Sequence, residues 1–166
     1  MPTAENLKEA FAGESQANRT YTAFAKKAQA DGLPNIARLF RAAAYAETVH
    51  ALSHLSAIGG VKKTADNLQA AIAGEGMEFQ EMYPKFVQEA ENEGKKAAAM
   101  SFRNAMAVEE IHHGLYSEAL KTLEAEGDLP DGTYYVCQVC GNTVKDSAPD
   151  VCPICGSPKK RFVEVK

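Results

Sequence analysis

The sequence predicts a mainly α protein, in which a bundle of four long helices is followed by a small module of short strands and cysteine knuckles. Three observations lead to this fold class. Residues 7–127 are rich in Ala, Glu, Lys, Gln and Leu, which favour helices. The same stretch contains an internal repeat, and all four cysteines fall within residues 137–155. A Pro-Asp-Gly turn signal at Pro130 separates the two parts, so we expect domains over residues 1–130 and 131–166.

Turn-forming residues divide the helical part into four segments. The first ends at an Asp-Gly-Leu-Pro sequence and the second at a Gly-Gly pair. The third is expected to open near Asp66, because Asp66 and Gln69 have the spacing of a capping box. The predicted helices are residues 3–30, residues 35–58, residues 66–94 and a fourth that ends at Gly127.

Composition and charge exclude several function classes. The net charge is -4 and the basic residues are scattered, so there is no basic field for nucleic acid or anionic lipid. No apolar run approaches the roughly 20 residues that a membrane span needs. The N-terminal sequence lacks the basic and then apolar layout of a secretion signal. We therefore expect a soluble, cytoplasmic protein without nucleic-acid or membrane partners.

The internal repeat relates the second helix to the fourth by a shift of 62 positions. Two helical hairpins of common descent would form a four-helix bundle with a pseudo-twofold axis. A functional site is expected on that axis. The matched pairs are Tyr21 with Tyr83, Phe24 with Phe86, Phe40 with Phe102, Arg41 with Arg103, Glu47 with Glu109, and His50 with His112.

Acids interrupt the apolar stripe of every helix, and histidines interrupt those of the second and fourth. An ionised carboxylate in a dry core is so costly that it is normally protonated, paired or bound to metal. Residues three apart share a helix face, so each of the two repeated Glu-x-x-His motifs can bind the same pair of ions. This arrangement is typical of di-iron or di-manganese bundles. The seven candidate ligands are Glu14, Glu47, His50, Glu75, Glu78, Glu109 and His112.

A second Glu-x-x-His motif competes for the fourth helix. Glu110 and His113 have the same spacing, and a lone motif of this kind is usually a solvated helix face. The repeat selects Glu109 and His112 instead, because it pairs them with the motif of the second helix. We interpret His113 and His54 as residues that support the ligands or the fold and do not bind metal themselves.

The repeat also contains a one-residue fault. Glu14 matches Glu75 at an offset of 61, whereas Tyr21 matches Tyr83 at 62. A single inserted residue in a helix is commonly absorbed as a π-bulge. We therefore predict a π-bulge between Glu75 and Tyr83; the alternative is an ordinary kink at Pro84.

Two Cys-x-x-Cys knuckles separated by 11 residues predict a tetrahedral metal site. Gly141 and Gly156 follow the knuckles and permit tight turns, and residues 134–136 and 161–165 are expected to form flanking strands. Four thiolates accept either structural zinc or redox-active iron, so the ligands alone leave the metal open. The ligands are Cys137, Cys140, Cys152 and Cys155.

Over nearly its whole length the chain resembles the rubrerythrins. The resemblance rests on residues 12–17, the motifs Glu47-Thr-Val-His50 and Glu109-Glu-Ile-His112, residues 73–84 and the two cysteine knuckles. It implies a ferritin-like di-iron bundle followed by a rubredoxin-like Fe(Cys)4 domain, and so favours iron over zinc. The implied activity is reduction of hydrogen peroxide to water in oxidative stress defence, with electrons from a rubredoxin or an NAD(P)H-dependent reductase.

The resemblance also implies a role for each candidate ligand. Glu47 and Glu109 would bridge the irons, and Glu14 and Glu75 would be terminal carboxylates. His112 would bind one iron, with Glu78 and His50 as alternatives on the other. Tyr21 and Tyr83 would steady the carboxylates, and the Cys site would return electrons one at a time.

The link between the second and third helices predicts a homodimer. In a ferritin-like bundle the second and third helices run parallel. Their link must therefore run back along a helix of about 24 residues, roughly 36 Å at about 1.5 Å per residue. Residues 59–66 reach only about 28 Å when fully extended. We expect a domain-swapped dimer, whose bundles each take one hairpin from each chain. Alternative functions are a ferroxidase or iron-handling protein, or a non-enzymatic electron carrier with a zinc-stabilised Cys module.

Overall fold

The computed structural model describes residues 2–165, which form five helices, a π-helical turn and three strands. The π-helical turn Glu78–Met82 connects two of the helices into one long segment. Within residues 2–165 we find no helix with the length and apolarity that a membrane crossing requires. The helices are α1 (Pro2–Ala30), α2 (Pro34–Ala57), α3 (Thr64–Met77), α4 (Tyr83–Asn92) and α5 (Lys96–Ala125).

The chain divides into two compact units, Met1–Lys62 and Lys63–Lys166. The first unit is the α1–α2 hairpin, and the second contains the α3–α4–α5 hairpin together with the cysteine module. The division by contacts therefore falls in the link between the hairpins. The boundary near residue 130 follows the change from helices to strands and stays a prediction.

The first hairpin is closed by small residues along its seam. Gly32 adopts a φ of 76° in the connecting turn, and the N–H of Leu33 donates to the carbonyl of Ala28. Alanine side chains allow the two helices to approach closely. Asn18 lies buried in the seam and donates to the Ala44 carbonyl, so its polar group is satisfied. The buried alanines are Ala25, Ala28, Ala37, Ala44 and Ala51.

The second unit confirms the predicted π-bulge. The N–H of Tyr83 donates to the carbonyl of Glu78, which is the i to i+5 bond of a π-helix. Pro84 follows at the start of α4, where its missing N–H costs least. The predicted capping box was wrong, because α3 begins at Thr64 and Asp66 lies inside its first turn.

The repeat is preserved in three dimensions as two aromatic clusters. Ring centroids of Phe24 and Phe40 lie 5.5 Å apart in the first unit. Those of Phe86 and Phe102, their partners in the repeat, also lie 5.5 Å apart in the second unit. Tyr21 joins the first cluster and Tyr83 the second. Each hairpin thus carries an equivalent aromatic cluster that is partly exposed.

The cysteine module contains a three-stranded antiparallel sheet in the order β2-β1-β3. Strands β1 (Tyr134–Cys137) and β3 (Phe162–Val165) confirm the two predicted strands. Strand β2 (Thr143–Lys145) was not predicted, since three residues show no periodicity. A 3₁₀ turn, Lys159–Arg161, leads into β3.

Candidate metal centres

The first unit brings together three of the seven candidate ligands. Glu14 comes from α1, whereas Glu47 and His50 lie one turn apart on α2. Their ligand atoms all lie within 4.8 Å of one another. Nδ1 of His50 lies 2.9 Å from Oε2 of Glu47 and 4.0 Å from Oε1 of Glu14. We call this group the first triad.

The second unit contains an equivalent group, here called the second triad. Glu75 comes from α3, and Glu109 and His112 lie one turn apart on α5. Nδ1 of His112 lies 2.9 Å from Oε2 of Glu109 and 3.9 Å from Oε1 of Glu75. The two triads agree in residue type, spacing and distances. The repeat therefore extends to the side chains that could bind metal.

The second triad carries more negative charge than it can neutralise by itself. Burial and the neighbouring Glu109 raise the pKa of Glu75. Burial and Glu75 raise the pKa of Glu78 in the same way. Crowded carboxylates shift in this direction when no cation lies between them. A divalent or trivalent ion is the group that fits this donor set.

Glu78 and Tyr83 lie close to the second triad without belonging to it. Glu78 is on the π-helical turn, outside the group of ligand atoms within 4.8 Å. Burial raises the pKa of the Tyr83 hydroxyl, and the charges of Glu78, Glu109 and Glu75 raise it further. Tyr83 therefore lies within electrostatic reach of the carboxylates. Tyr21, its partner in the repeat, is half-buried beside Phe24.

The competing motif has a different environment. Glu110 is exposed, and His113 packs edge-on against Phe79 with ring centroids 5.5 Å apart. This imidazole also lies beside Gly76, where a Cβ would be in ordinary van der Waals contact with it at 3.4 Å. His113 thus has the structural surroundings that the sequence predicted. His54 is half-buried near the end of α2.

The four cysteines form a separate site in the second unit. Their Sγ atoms lie within 4.8 Å of one another, with separations of 3.7 Å between Cys137 and Cys155 and 3.6 Å between Cys140 and Cys152. Four ligands about 2.3 Å from a tetrahedral metal are separated by roughly 3.8 Å. The sulfur cage therefore already has the dimensions of a metal tetrathiolate. Gly141 and Gly156 adopt φ values of 87° and 73°, as the tight turns require.

The environments of the thiols differ across this cage. Burial raises the pKa of Cys140. Burial also raises that of Cys155, but hydrogen bonds from Ser157 outweigh it and lower the pKa to about 6. Nδ2 of Asn142, which is 1% exposed, lies 3.6 Å from Sγ of Cys152. Sequence reasoning missed Asn142, because a residue after a knuckle has no pattern of its own.

Comparison with known proteins agrees with this pair of sites. The family model described as rubrerythrin matches residues 5–120, and the model of the rubrerythrin rubredoxin-like domain matches residues 135–163. The chain belongs to the rubrerythrin family. Rubrerythrins combine a di-iron site with a rubredoxin-like iron site of four cysteines, so the triads and the cysteine cage are the residues available for these cofactors.

Individual relatives cover nearly the whole chain. Rubrerythrin-2 of Clostridium acetobutylicum is 36% identical over 96% of this chain and 95% of its own length. Nigerythrin of Nitratidesulfovibrio vulgaris is 37% identical over 96% of this chain and 85% of its own. A solved structure of fully reduced, all-ferrous nigerythrin has a TM-score of 0.57 at 35% identity, covering 98% of this chain and 86% of that one. The fold class is the one predicted: four helices followed by a strand-rich cysteine domain.

Proposed function

We propose that this protein is a hydrogen peroxide reductase. The reaction consumes one peroxide, two electrons and two protons and yields two water molecules. The observation that carries the proposal is the matched pair of Glu-Glu-His triads, since two equivalent sites can hold two iron ions. A di-iron centre held by these residues would supply the two electrons.

Each triad residue has a proposed role in holding that centre. Glu47 and Glu109 occupy equivalent positions beside a histidine and are proposed to bridge the irons. Glu14 and Glu75 reach the same groups from a second helix and are proposed as terminal ligands. The histidines contribute Nδ1, the nitrogen that faces the carboxylates.

Two further groups are proposed to act beside the centre. Glu78 and His50 are the alternative ligands of one iron, because Glu78 lies near Glu75 and His50 lies in the first triad. Tyr83 is proposed to steady the carboxylates through its hydroxyl, and Tyr21 to do the same in the first hairpin. Aromatic rings pack beside both tyrosines, Phe40 beside Tyr21 and Phe102 beside Tyr83.

The cysteine site is proposed to return electrons to the di-iron centre. A tetrathiolate iron changes by one electron, so two transfers restore each two-electron event. The electrons are expected to come from a rubredoxin or an NAD(P)H-dependent reductase. The presence of this module favours peroxide reduction over iron storage, because a ferroxidase needs no attached redox domain.

A homodimer is proposed to complete each di-iron centre. The two hairpins are compact units, and the link between them, residues 58–63, is shorter than the link assumed from sequence. Large apolar side chains on the first unit remain exposed, such as Phe24 at 47% and Ile36 at 46%. A bundle that takes its first hairpin from one chain and its second from the other would cover them.

The test compares peroxide with oxygen as the oxidant of the reduced, iron-loaded protein in stopped flow. We expect rapid oxidation by peroxide and slow oxidation by oxygen. Glu109→Gln should lower the peroxide rate at least about 100-fold, whereas Glu110→Gln on the exposed side of the same helix should keep it. Faster oxidation by oxygen would favour the ferroxidase, and zinc in the cysteine site would favour the electron-carrier scaffold.

A further inference from the structure

One imidazole of the candidate centre is held by a side chain of the cysteine module. Nε2 of His112 lies 2.9 Å from Oγ1 of Thr143, the first residue of β2. Nδ1 of the same ring lies 2.9 Å from Oε2 of Glu109. Both residues belong to the second unit, so this contact exists whichever chain supplies the first hairpin.

The direction of this hydrogen bond follows from the neighbouring one. The Thr143 hydroxyl donates its proton to the Gly141 carbonyl at 3.1 Å. A hydroxyl has a single proton, so Oγ1 must accept from Nε2–H of His112. With Nε2 as the donor to Thr143, Nδ1 is the nitrogen left to bind a metal on the side of the carboxylates. A histidine that ligates a metal usually donates its other N–H in this manner.

We propose that Thr143 is a positioning residue that fixes the tautomer and orientation of His112 and couples it to the cysteine site. The proposal rests on the di-iron function proposed above. Gly141 directly follows the ligand Cys140, so two hydrogen bonds connect a cysteine knuckle to an imidazole of the second triad. The structure assigns this connection to one threonine hydroxyl.

The packing around Thr143 maintains these hydrogen bonds. Val108 is 2% exposed, and a Cβ at Gly141 would lie 3.6 Å from its Cγ1, which places the knuckle against α5. An apolar cavity of about 400 Å³ adjoins His112 and Thr143 and is lined in part by Leu115 and Val136. Apolar surroundings reduce the competition from water for both hydrogen bonds.

The two repeat-related histidines differ in this respect. The His112 side chain is 25% exposed, whereas that of His50 is 55% exposed, although both make the same contact with a glutamate. Thr143 therefore distinguishes two histidines that the repeat makes equivalent.

The experiment compares Thr143→Val with Thr143→Ser and with Thr133→Val, a control at the edge of the same module. Iron-loaded, full-length protein is exposed to a chelator, and iron loss from the di-iron site is timed. We expect loss about 10–100-fold faster in Thr143→Val, with Thr143→Ser and Thr133→Val close to wild type. An unchanged visible spectrum of the cysteine site, checked also in the smaller Thr143→Ala, shows that the module is folded.

A second measurement follows electron transfer after one peroxide turnover, through the absorption of the cysteine iron. We expect slower oxidation of that iron in Thr143→Val and recovery in Thr143→Ser. Wild-type iron retention in Thr143→Val would overturn the positioning role, and wild-type transfer would overturn the coupling. If peroxide fails to oxidise even the wild type, the proposed function fails, while the chelator measurement still decides the role of Thr143.

Discussion

At the scale of single residues, a buried amide donor, that of Asn142, lies beside one sulfur of the cysteine site. The Asn142 side-chain amide points at Sγ of Cys152, and its Oδ1 is buried without a hydrogen-bond partner in the described residues. An N–H donor stabilises the more negative, reduced tetrathiolate. We therefore expect Asn142 to raise the reduction potential of an iron bound by the four cysteines.

Asn142→Leu is expected to lower that potential. Loss of one hydrogen bond of about 0.5–1.5 kcal/mol corresponds to roughly 20–65 mV for a one-electron couple. The measurement is a redox titration followed by visible absorption. Gln138→Leu, at an exposed amide of the same module, should leave the potential unchanged. An equal or higher potential in Asn142→Leu would show that the amide does not stabilise the reduced site.

The crowded carboxylates predict a conflict between stability and metal binding. Glu75 has a raised pKa in the folded state, caused by burial and then by Glu109. A carboxyl whose pKa is raised on folding stabilises the folded state while it is protonated, below its ordinary pKa of 4.5. That stabilisation is lost as pH rises through the pKa of the folded state. Removing the charge should therefore stabilise the metal-free protein at neutral pH.

Glu75→Gln is expected to raise the stability of metal-free protein at pH 7 by up to about 1 kcal/mol. The advantage over wild type should disappear below about pH 4.5, where Glu75 itself becomes neutral. Chemical denaturation across this pH range measures the difference in free energy of unfolding between the variant and wild type. Glu81→Gln, on the exposed side of the π-helical turn, is the control. With iron present the order should reverse, because the variant has lost a ligand. A variant less stable than wild type without metal would contradict the proposed repulsion.

At the scale of elements, the repeat made most of the architecture predictable. It pairs six of the seven candidate ligands, which the structure gathers into two triads: Glu14 with Glu75, Glu47 with Glu109, and His50 with His112. The one-residue offset predicted the π-helical turn. The start of α3 was missed, because Lys63 caps that helix without a side-chain bond. Thr143 could not be predicted, because its role arises only when β2 packs near α5.

We expect the π-helical turn to place Glu78 near the second triad and to make the protein less stable than a regular α-helix would. The first hairpin has no extra residue, and Ala17 stands where the repeat would place the counterpart of Glu78. Deleting the exposed Gln80 should restore regular α-helix and keep both flanks, including Glu75 and Tyr83, in register. Stability should be equal or higher, while the peroxide rate should fall about as far as in Glu78→Gln. Full activity of the deletion variant would show that the turn has no functional role.

At the scale of the whole molecule, exposed apolar side chains indicate a helix face that a second chain would cover. The fully buried hydrophobic residues of the helices are alanines and one valine, whereas Leu39, Tyr45 and Leu52 on α2 are more than half exposed. Stability of a long helical hairpin comes mainly from packing its apolar face. Two chains that exchange hairpins would supply that packing and would join one first triad to one second triad in each bundle.

Complementation between two inactive variants tests this exchange. One variant carries Glu14→Gln, Glu47→Gln and His50→Asn, and the other carries Glu75→Gln, Glu109→Gln and His112→Asn. In an exchanged heterodimer, one bundle combines both intact triads and the other combines both damaged ones. We expect the heterodimer purified from co-expressed chains to contain one di-iron centre and to show about half the wild-type peroxide rate, whereas either variant alone stays inactive. If each bundle were built from one chain, every centre would contain a damaged triad, and mixing the variants would restore neither iron binding nor activity.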